Sequence, residues 1–421
     1  MIVYKFGGAS VRDAWGIRNL AAIAGKADDD LVIVVSAFGK TTNALESILA
    51  SRMSREDKYR ELLESIADYH RNVIIDLKMA NSETGLLFEN SLSQLSAYLA
   101  GECSADYDFE YDQVVSFGEV WSTIIVSGFL NEAGVMNRWV DIRKVLVTDN
   151  RHRDANIVWE ESRKRLSATF NFSRAHVYLT QGFIGGTLGG KTTTLGREGS
   201  DYTAAVLANM LDATGVYVWK DVPGLLNADP QWLKDTERLP VVSYKEAVEM
   251  TFSGAKVIHP KTIRPLHNKS IPLYVKSFLD PGAEGTIIVP DAGGAPSVPV
   301  FVKKEDQIMI SILPRDFSFA ISENLSRIFM ILTDIGIKVN LVQASAVSIN
   351  ICADHEAERI GEIMKLLGEE FRVVYNDNVE MVTIRHYTPE AIEKMTLGRQ
   401  VMVEQRTRKT VRFVFTRPVQ S

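Results

Sequence analysis

Four short segments hold residue types able to do chemistry: KFGGAS (Lys5 to Ser10), TTTLGREGSD (Thr192 to Asp201), WKDVPGLLNADP (Trp219 to Pro230) and GAKVIHP (Gly254 to Pro260). In the first, Gly7 and Gly8 follow a predicted strand and precede a predicted helix. Without Cβ atoms their backbone can come close to an anion, and Lys5 adds a point charge suited to phosphate. Taken alone, such a pair of glycines also fits a tight turn beside a surface lysine. In the second segment, Gly196 and Gly199 give backbone freedom and Arg197 can grip a carboxylate with two parallel hydrogen bonds. Ser200 and Asp201 stand where a helix begins, so either can cap it; for Asp201, capping and binding an ammonium group are compatible. Each segment lies at the end of a predicted strand or the start of a predicted helix, where open α/β sheets bind ligands.

One motif misleads. Gly185 to Thr192 reads GGTLGGKT and matches the GxxxxGK[ST] phosphate loop. A true phosphate loop runs from its Lys-Thr straight into a helix, whereas here Thr192-Thr-Thr-Leu-Gly196 is β-like and then broken by glycine. The segment is read as a glycine-rich hairpin with Lys191 exposed. The seven histidines form no HxxxH or HExxH pattern, and the two cysteines, Cys103 and Cys352, have no metal-like spacing. His259 is read as structural, and Trp15, Trp121, Trp139 and Trp159 as packing residues.

The elements that must position these residues follow from periodicity. Leu31 to Ser36 is a continuous apolar run of the kind buried on both faces of a parallel sheet, and the largely apolar Ile2 to Phe6 and Gly215 to Lys220 read as further strands. Ser10 is a candidate cap for a helix carrying Ile17, Leu20, Ala21 and Ala24 on one face. Gln113 to Phe117 reads as a strand and Glu119 to Glu132 as a helix; Arg55 to Leu99 reads as a helical insertion. The first 290 or so residues therefore alternate strand and helix, which predicts a three-layer α/β domain around a mainly parallel sheet. A Gly, Pro, Ala and Asp-rich stretch, Pro281 to Pro299, suggests a boundary. Beyond it, strand, helix, two strands, helix and strand over 307–375 give the βαββαβ order of a ferredoxin-like module. The pattern restarts at Val379 and stops early, as a truncated second repeat would. The predicted domains are 1–290 and 300–421.

Length and charge narrow the classes. At 421 residues, two or three domains are expected. A net charge of −6 gives no reason to expect nucleic acid as partner. The N-terminus lacks a signal-peptide pattern, and apolar runs such as Leu31 to Phe38 are too short to cross a bilayer. A cytoplasmic protein without a membrane partner is expected.

The four segments together, with VVSAFGKTTNAL (Val34 to Leu45), SFGEVWST (Ser116 to Thr123), VDIRKV (Val140 to Val145) and TQGFIG (Thr180 to Gly185), resemble the aspartate kinases within the amino-acid kinase fold. The resemblance covers essentially residues 1–290. It implies transfer of the ATP γ-phosphoryl group to the side-chain carboxylate of L-aspartate. Lys5, Gly7 and Gly8 would hold the phosphates. Ser36, Thr42, Glu119, Phe183, Arg197, Ser200 and Asp201 would line the aspartate site. Lys220, Asp221, Lys256 and Val257 would serve the nucleotide, with Mg²⁺ bridging phosphates rather than held by protein ligands. Lys5, Lys256 and Asp201 would carry catalysis. An aspartate carboxylate is already ionised at neutral pH, so the reaction needs positioning and charge neutralisation rather than a general base. The pattern departs at Leu226 and Gln231, where the family often has Tyr and Arg, and at Glu198, where Gly is frequent. The C-terminal region resembles ACT modules and implies a homodimer and an amino-acid effector site. Asn340 and Ala346 stand where lysine-sensitive members tend to be acidic, which points to weak or absent lysine feedback. The rivals are a kinase of glutamate or acetylglutamate and an amino-acid sensor without turnover.

Overall fold

The computed structural model describes residues 1–255, 258–315 and 323–417. They divide into two compact units. The first comprises Met1–Leu225, Arg238–Val248 and 258–292; the second comprises Leu226–Glu237, 249–255 and the described residues from Gly293 onward. The partition is thus not a single cut in the Pro281 to Pro299 stretch, because two short segments from earlier in the chain fold with the second unit.

The first unit is built on an eight-stranded sheet. Its order is Arg138–Val140, Val177–Gln181, Leu31–Val35, Ile2–Phe6, Gly215–Lys220, Leu273–Ser277, Thr286–Val289 and Val241–Ser243. All pairings are parallel except that of Leu273–Ser277 with Thr286–Val289. Every residue of Ile2–Phe6 and Leu31–Val35 is buried: Leu31–Val35 is an unbroken apolar run, and Ile2–Phe6 is apolar except for Lys5, which pairs with Asp201. From Ile2–Phe6 the chain first builds toward Leu31–Val35 and Val177–Gln181, then returns to the other side with Gly215–Lys220. Phe6 is paired with both Val35 and Trp219. The carboxyl ends of these three strands therefore open at a topological switch point, where a crevice forms.

Helices cover the sheet. Ala14–Ala24 buries Ile17, Leu20, Ala21 and Ala24, but its cap is Asp13, whose Oδ1 accepts from Gly16 N at 2.8 Å, not Ser10. Ser10 instead closes a turn through its N–H on the Gly7 carbonyl. The helical insertion expected over Arg55 to Leu99 resolves into Lys58–Asp76 and Glu83–Ala100, preceded by a further helix, Thr41–Met53. The strand expected at Gln113 to Phe117 is absent: Tyr107–Glu132 is one helix, capped by Asp106. Val114 and Val115 are buried and Gly118 lies mid-helix, so this run has a buried strand's composition. Gly118 is accommodated because a Cβ there would press on Ala37 and Thr41 at 3.1 Å. This helix is long and apolar enough to cross a membrane, yet 72% of that window is buried within the unit, as in a core helix. The GGTLGGKT motif is a hairpin: Ile184–Thr187 pairs antiparallel with Thr192–Thr194, and Lys191 is exposed. Trp121 is fully buried, whereas Trp15 is 57% exposed and touches Phe278 edge-on.

The second unit holds a six-stranded sheet, paired antiparallel throughout, in the order Val339–Ala344, Ile349–Asp354, Val300–Pro314, Phe371–Arg385, Thr410–Thr416 and Val401–Arg406. The break expected between Tyr375 and Val379 is absent. Phe371–Arg385 is one 15-residue strand beside the equally long Val300–Pro314, and the register shifts around Gln307. One half of the sheet packs Glu323–Ile335 and Ala357–Gly368 on an isoleucine-rich core. The other half, with Pro389–Thr396, uses the beginning of Val300–Pro314 as its fourth strand and buries Phe413 and Phe415.

Candidate functional site

At the switch point lies a cavity of about 570 Å³ within the first unit. Lys5, Gly7, Gly8, Ser36, Thr42, Glu119, Phe183, Arg197, Ser200, Asp201, Lys220 and Asp221 all line it. These residues come from six separated stretches of sequence. The remaining two expected residues, Lys256 and Val257, lie outside the described residues.

The centre of the site is a charge network. Lys5, near the end of the middle strand, places Nζ 2.6 Å from Asp201 Oδ1, and Lys220 from the neighbouring strand places Nζ 3.5 Å from Oδ2. Asp201 is only 3% exposed. Burial pushes its carboxyl upward, but Lys5 and Lys220 outweigh that and hold it below the usual carboxylate range. Asp201 is in the first turn of the helix Gly199–Met210, so its charge also faces the positive end of the helix dipole. The residue before that helix, Glu198, has φ 54, in the left-handed region. Burial pushes the Glu198 carboxyl upward; Lys220 opposes this and Asp201 adds to it. The family-frequent glycine would take this backbone freely, and Glu198 takes it at a cost of about 1–3 kcal/mol. Phe183, which packs against the same helix start at Gly199, is another left-handed non-glycine residue, at φ 68.

Close packing fixes the helix start. A Cβ on Gly182 would lie 2.5 Å from Ser200 Cβ, so only glycine lets the strand end and the helix approach this closely. At Gly7 a Cβ would meet only Lys5 Nζ, at 3.6 Å, so its backbone is open to the cavity. The helix N-terminus, the open Gly7 backbone and two lysines form an anion-binding corner.

Another part of the lining is different in kind. Glu119 is buried on Tyr107–Glu132, and its Oε1 receives only a long contact from Ala37 N, 3.4 Å. Its Oε2 has no partner among the described residues. Burial raises this carboxyl to about 8. Asp112, two turns earlier, is fully buried but well supplied. It accepts from Thr194 Oγ1 at 2.7 Å, His152 Nδ1 at 2.7 Å and Arg153 N at 3.1 Å. Gln113 bonds both ways with Thr192. The helix is thereby bolted to the strand that leads into Arg197. Arg197 itself is exposed, and no hydrogen bond or ion pair to a described residue engages its guanidinium.

Two lining residues, Tyr111 and Arg153, lie outside every segment noted in the sequence, and Thr194 and Trp219 lie within two of those segments without a role assigned to them. Tyr111 lies eight residues before Glu119, so a continuous helical pattern from Tyr107 would have put both on one face. Among the described residues, no group of three or more His, Cys, Asp or Glu side chains is placed to hold a metal ion.

The amino acid kinase family model matches residues 1–277. Lysine-sensitive aspartokinase 3 of Escherichia coli (strain K12) is 32% identical over 362 residues, covering 84% of this chain and 78% of that protein. Bifunctional aspartokinase/homoserine dehydrogenase 2 of Arabidopsis thaliana is 30% identical over 386 residues; the match spans 88% of this chain but only 42% of the relative's length. In three dimensions, E. coli aspartokinase III in complex with aspartate and ADP superposes with a TM-score of 0.84 at 27% identity, covering 99% of this chain and 96% of that one. The same enzyme in complex with lysine and aspartate gives 0.83.

Proposed function

The chain belongs to the amino acid kinase family, and on that premise we propose that it is an aspartate kinase, moving the γ-phosphoryl group of ATP to the β-carboxylate of L-aspartate to give 4-phospho-L-aspartate. The observation that carries this reading is one cavity holding both an anion corner, Lys5 and Lys220 on Asp201, and an acceptor set, the uncommitted Arg197 and the buried carboxyl Glu119. The similarity to E. coli aspartokinase III bound to aspartate and ADP supports the choice of acceptor and nucleotide.

In this reading Arg197 takes the α-carboxylate and Glu119 the ammonium group, leaving the β-carboxylate toward Lys5. Asp201 holds Lys5 and Lys220 on the transferring phosphoryl, where they neutralise charge as it spreads over the phosphoryl oxygens. Gly7 and the first amides of Gly199–Met210 cradle phosphate oxygens. Since Asp201 is already committed to two lysines, Mg²⁺ would be held mainly by the phosphates and would supply further charge neutralisation there. In the second unit, we read the two halves of the antiparallel sheet as ACT-type modules serving dimerisation and an amino-acid effector. Weak lysine feedback is supported at Asn340: its amide donates to Gln307 Oε1 at 2.7 Å and Asp354 Oδ1 at 2.6 Å and accepts from Lys304, so this position brings no negative charge of its own and is already engaged.

The test is ATP turnover with Mg²⁺ and hydroxylamine trapping of the acyl phosphate, with aspartate, glutamate and acetylglutamate in parallel. Aspartyl hydroxamate formed from aspartate alone is the expected result. Hydroxamate from another acid only, or none with measurable aspartate binding, would replace this reading by one of its rivals.

A further inference from the structure

Arg153 is a cation at the acceptor end of the cavity to which the roles above give no task. It lines the cavity beside Tyr111 and Glu119. Its backbone sits at φ 64, a conformation costly for a residue with a Cβ, and strain of this kind is kept where the surroundings over-determine it. The surroundings here are specific. The Arg153 N–H points between the two oxygens of Asp112, at 3.2 and 3.1 Å, and the adjacent His152 ring donates to the same carboxylate. The following residue, Asp154, is held by Lys261 at 2.7 Å, and Lys261 also donates to the Leu195 carbonyl at 2.8 Å. Residues 152–154 are therefore clamped to the strand and loop that carry Arg197, and to the helix that carries Glu119.

The side chain is far less constrained than its backbone. The guanidinium lies over the Tyr111 ring, 4.4 Å from its centroid, and is 44% exposed. Its ion pairs are long: 3.6 Å to Glu46 and 3.5 Å to Asp108, both solvent-accessible carboxylates. Such rim pairs are worth about 0–1 kcal/mol, little enough for a bound carboxylate to displace. A fixed backbone, a stacked planar fork and weak resting partners are the attributes of an anion-recognising arginine.

We propose that Arg153 is a second substrate-binding arginine, sharing the α-carboxylate of the acceptor with Arg197, whose neighbour Gly196 packs against the Arg153 carbonyl and the Asp154 side chain. This rests on the reading of the cavity as an acceptor site for an amino acid. Arg197 and Arg153 would then hold the α-carboxylate together, with Glu119 taking the ammonium group and the β-carboxylate left toward Lys5. Asp112 acts as a positioning residue, setting Arg153 and Glu119 in one frame.

The test uses the full chain and reads aspartate Kd by calorimetry together with KM and kcat from the hydroxamate assay. For Arg153→Gln, aspartate Kd is expected to rise about tenfold or more, the loss of a charged hydrogen-bond donor, with KM for ATP within about twofold of the unaltered protein. Arg153→Lys should fall between, retaining charge without the planar fork. An aspartate Kd unchanged in Arg153→Gln overturns the proposal. So does an equal weakening of aspartate and ATP, which is the signature of a general distortion of the loop. Aspartate binding without turnover in the unaltered protein refutes the kinase reading alone, because Kd still reports on Arg153. No aspartate binding at all overturns both.

Discussion

Glu119 offers the sharpest quantitative test. It is fully buried, its carboxyl is raised to about 8, and one oxygen has no partner among the described residues. At neutral pH it therefore stands mostly protonated before substrate binds. Binding an ammonium group requires the carboxylate, so substrate must drive the proton off. With a group at about 8 that ionises on binding, about 0.9 proton is released per site at pH 7, and the apparent Kd for aspartate falls about fiftyfold between pH 6 and pH 8. Calorimetry at each pH, in two buffers of different ionisation enthalpy, gives both quantities. Glu119→Gln should bind aspartate weakly at every pH and show neither the slope nor the proton release. Stability has the opposite slope. The folded group keeps its proton up to about 8 while the unfolded one loses it near 4.5, so the unfolded state binds fewer protons across that window. Stability then falls as pH rises through it, by on the order of 5 kcal/mol at full ionisation, and Glu119→Gln removes this loss. A Kd that is flat between pH 6 and pH 8, with no proton release, would refute the reasoning.

Other consequences can be read separately. Lys5→Ala removes the nearer cation from the buried Asp201, and kcat in the hydroxamate assay should fall about a hundredfold to a thousandfold, as when a preorganised charge is lost from a site. A drop of less than about threefold would show that Lys5 does not face the reacting phosphoryl. His70 is buried between Phe38 and Phe88, and burial lowers its pKa from 6.5 to about 4. The unfolded state gains a proton first as pH falls, so about 3 kcal/mol of stability should be lost between pH 6.5 and pH 4. Denaturant melts across that range check it, and His70→Phe should flatten the slope. Gly182→Ala drives a methyl group into Ser200, so the helix start must shift. Both the melting temperature and kcat/KM should drop, the latter by about tenfold or more; an unchanged kcat/KM would mean that the Ser200 position is not critical.

Much of the fold was written in the sequence because its signals are local. Ile2 to Phe6, Leu31 to Ser36 and Gly215 to Lys220 are apolar apart from the site lysines Lys5 and Lys220 and the terminal Ser36, and each forms a parallel strand inside the sheet. The glycine that breaks Thr192 to Gly196 kept the GGTLGGKT motif from a helix, and a hairpin is what forms. The expected lining residues within the described chain share one cavity, since strand ends and helix starts meet at a switch point. Other features were legible only in three dimensions. Val114 and Val115 satisfy a strand or a buried helix equally, and the close approach of this helix at Gly118 to Ala37, Thr41 and Leu45 is a long-range contact that no local pattern shows. The strand completing the second half of the antiparallel sheet comes from the start of Val300–Pro314, more than 70 residues before its partner Val379 to Arg385, a pairing that no local pattern encodes. Arg153 stood in an unremarked run, Asn150 to Asp154, and gained its place only through the buried carboxylate of Asp112, 41 residues earlier. Residue type and spacing fix which groups can do chemistry. Which of them face each other, and how far burial moves a carboxyl such as Glu119, depends on long-range contacts that only the folded chain supplies.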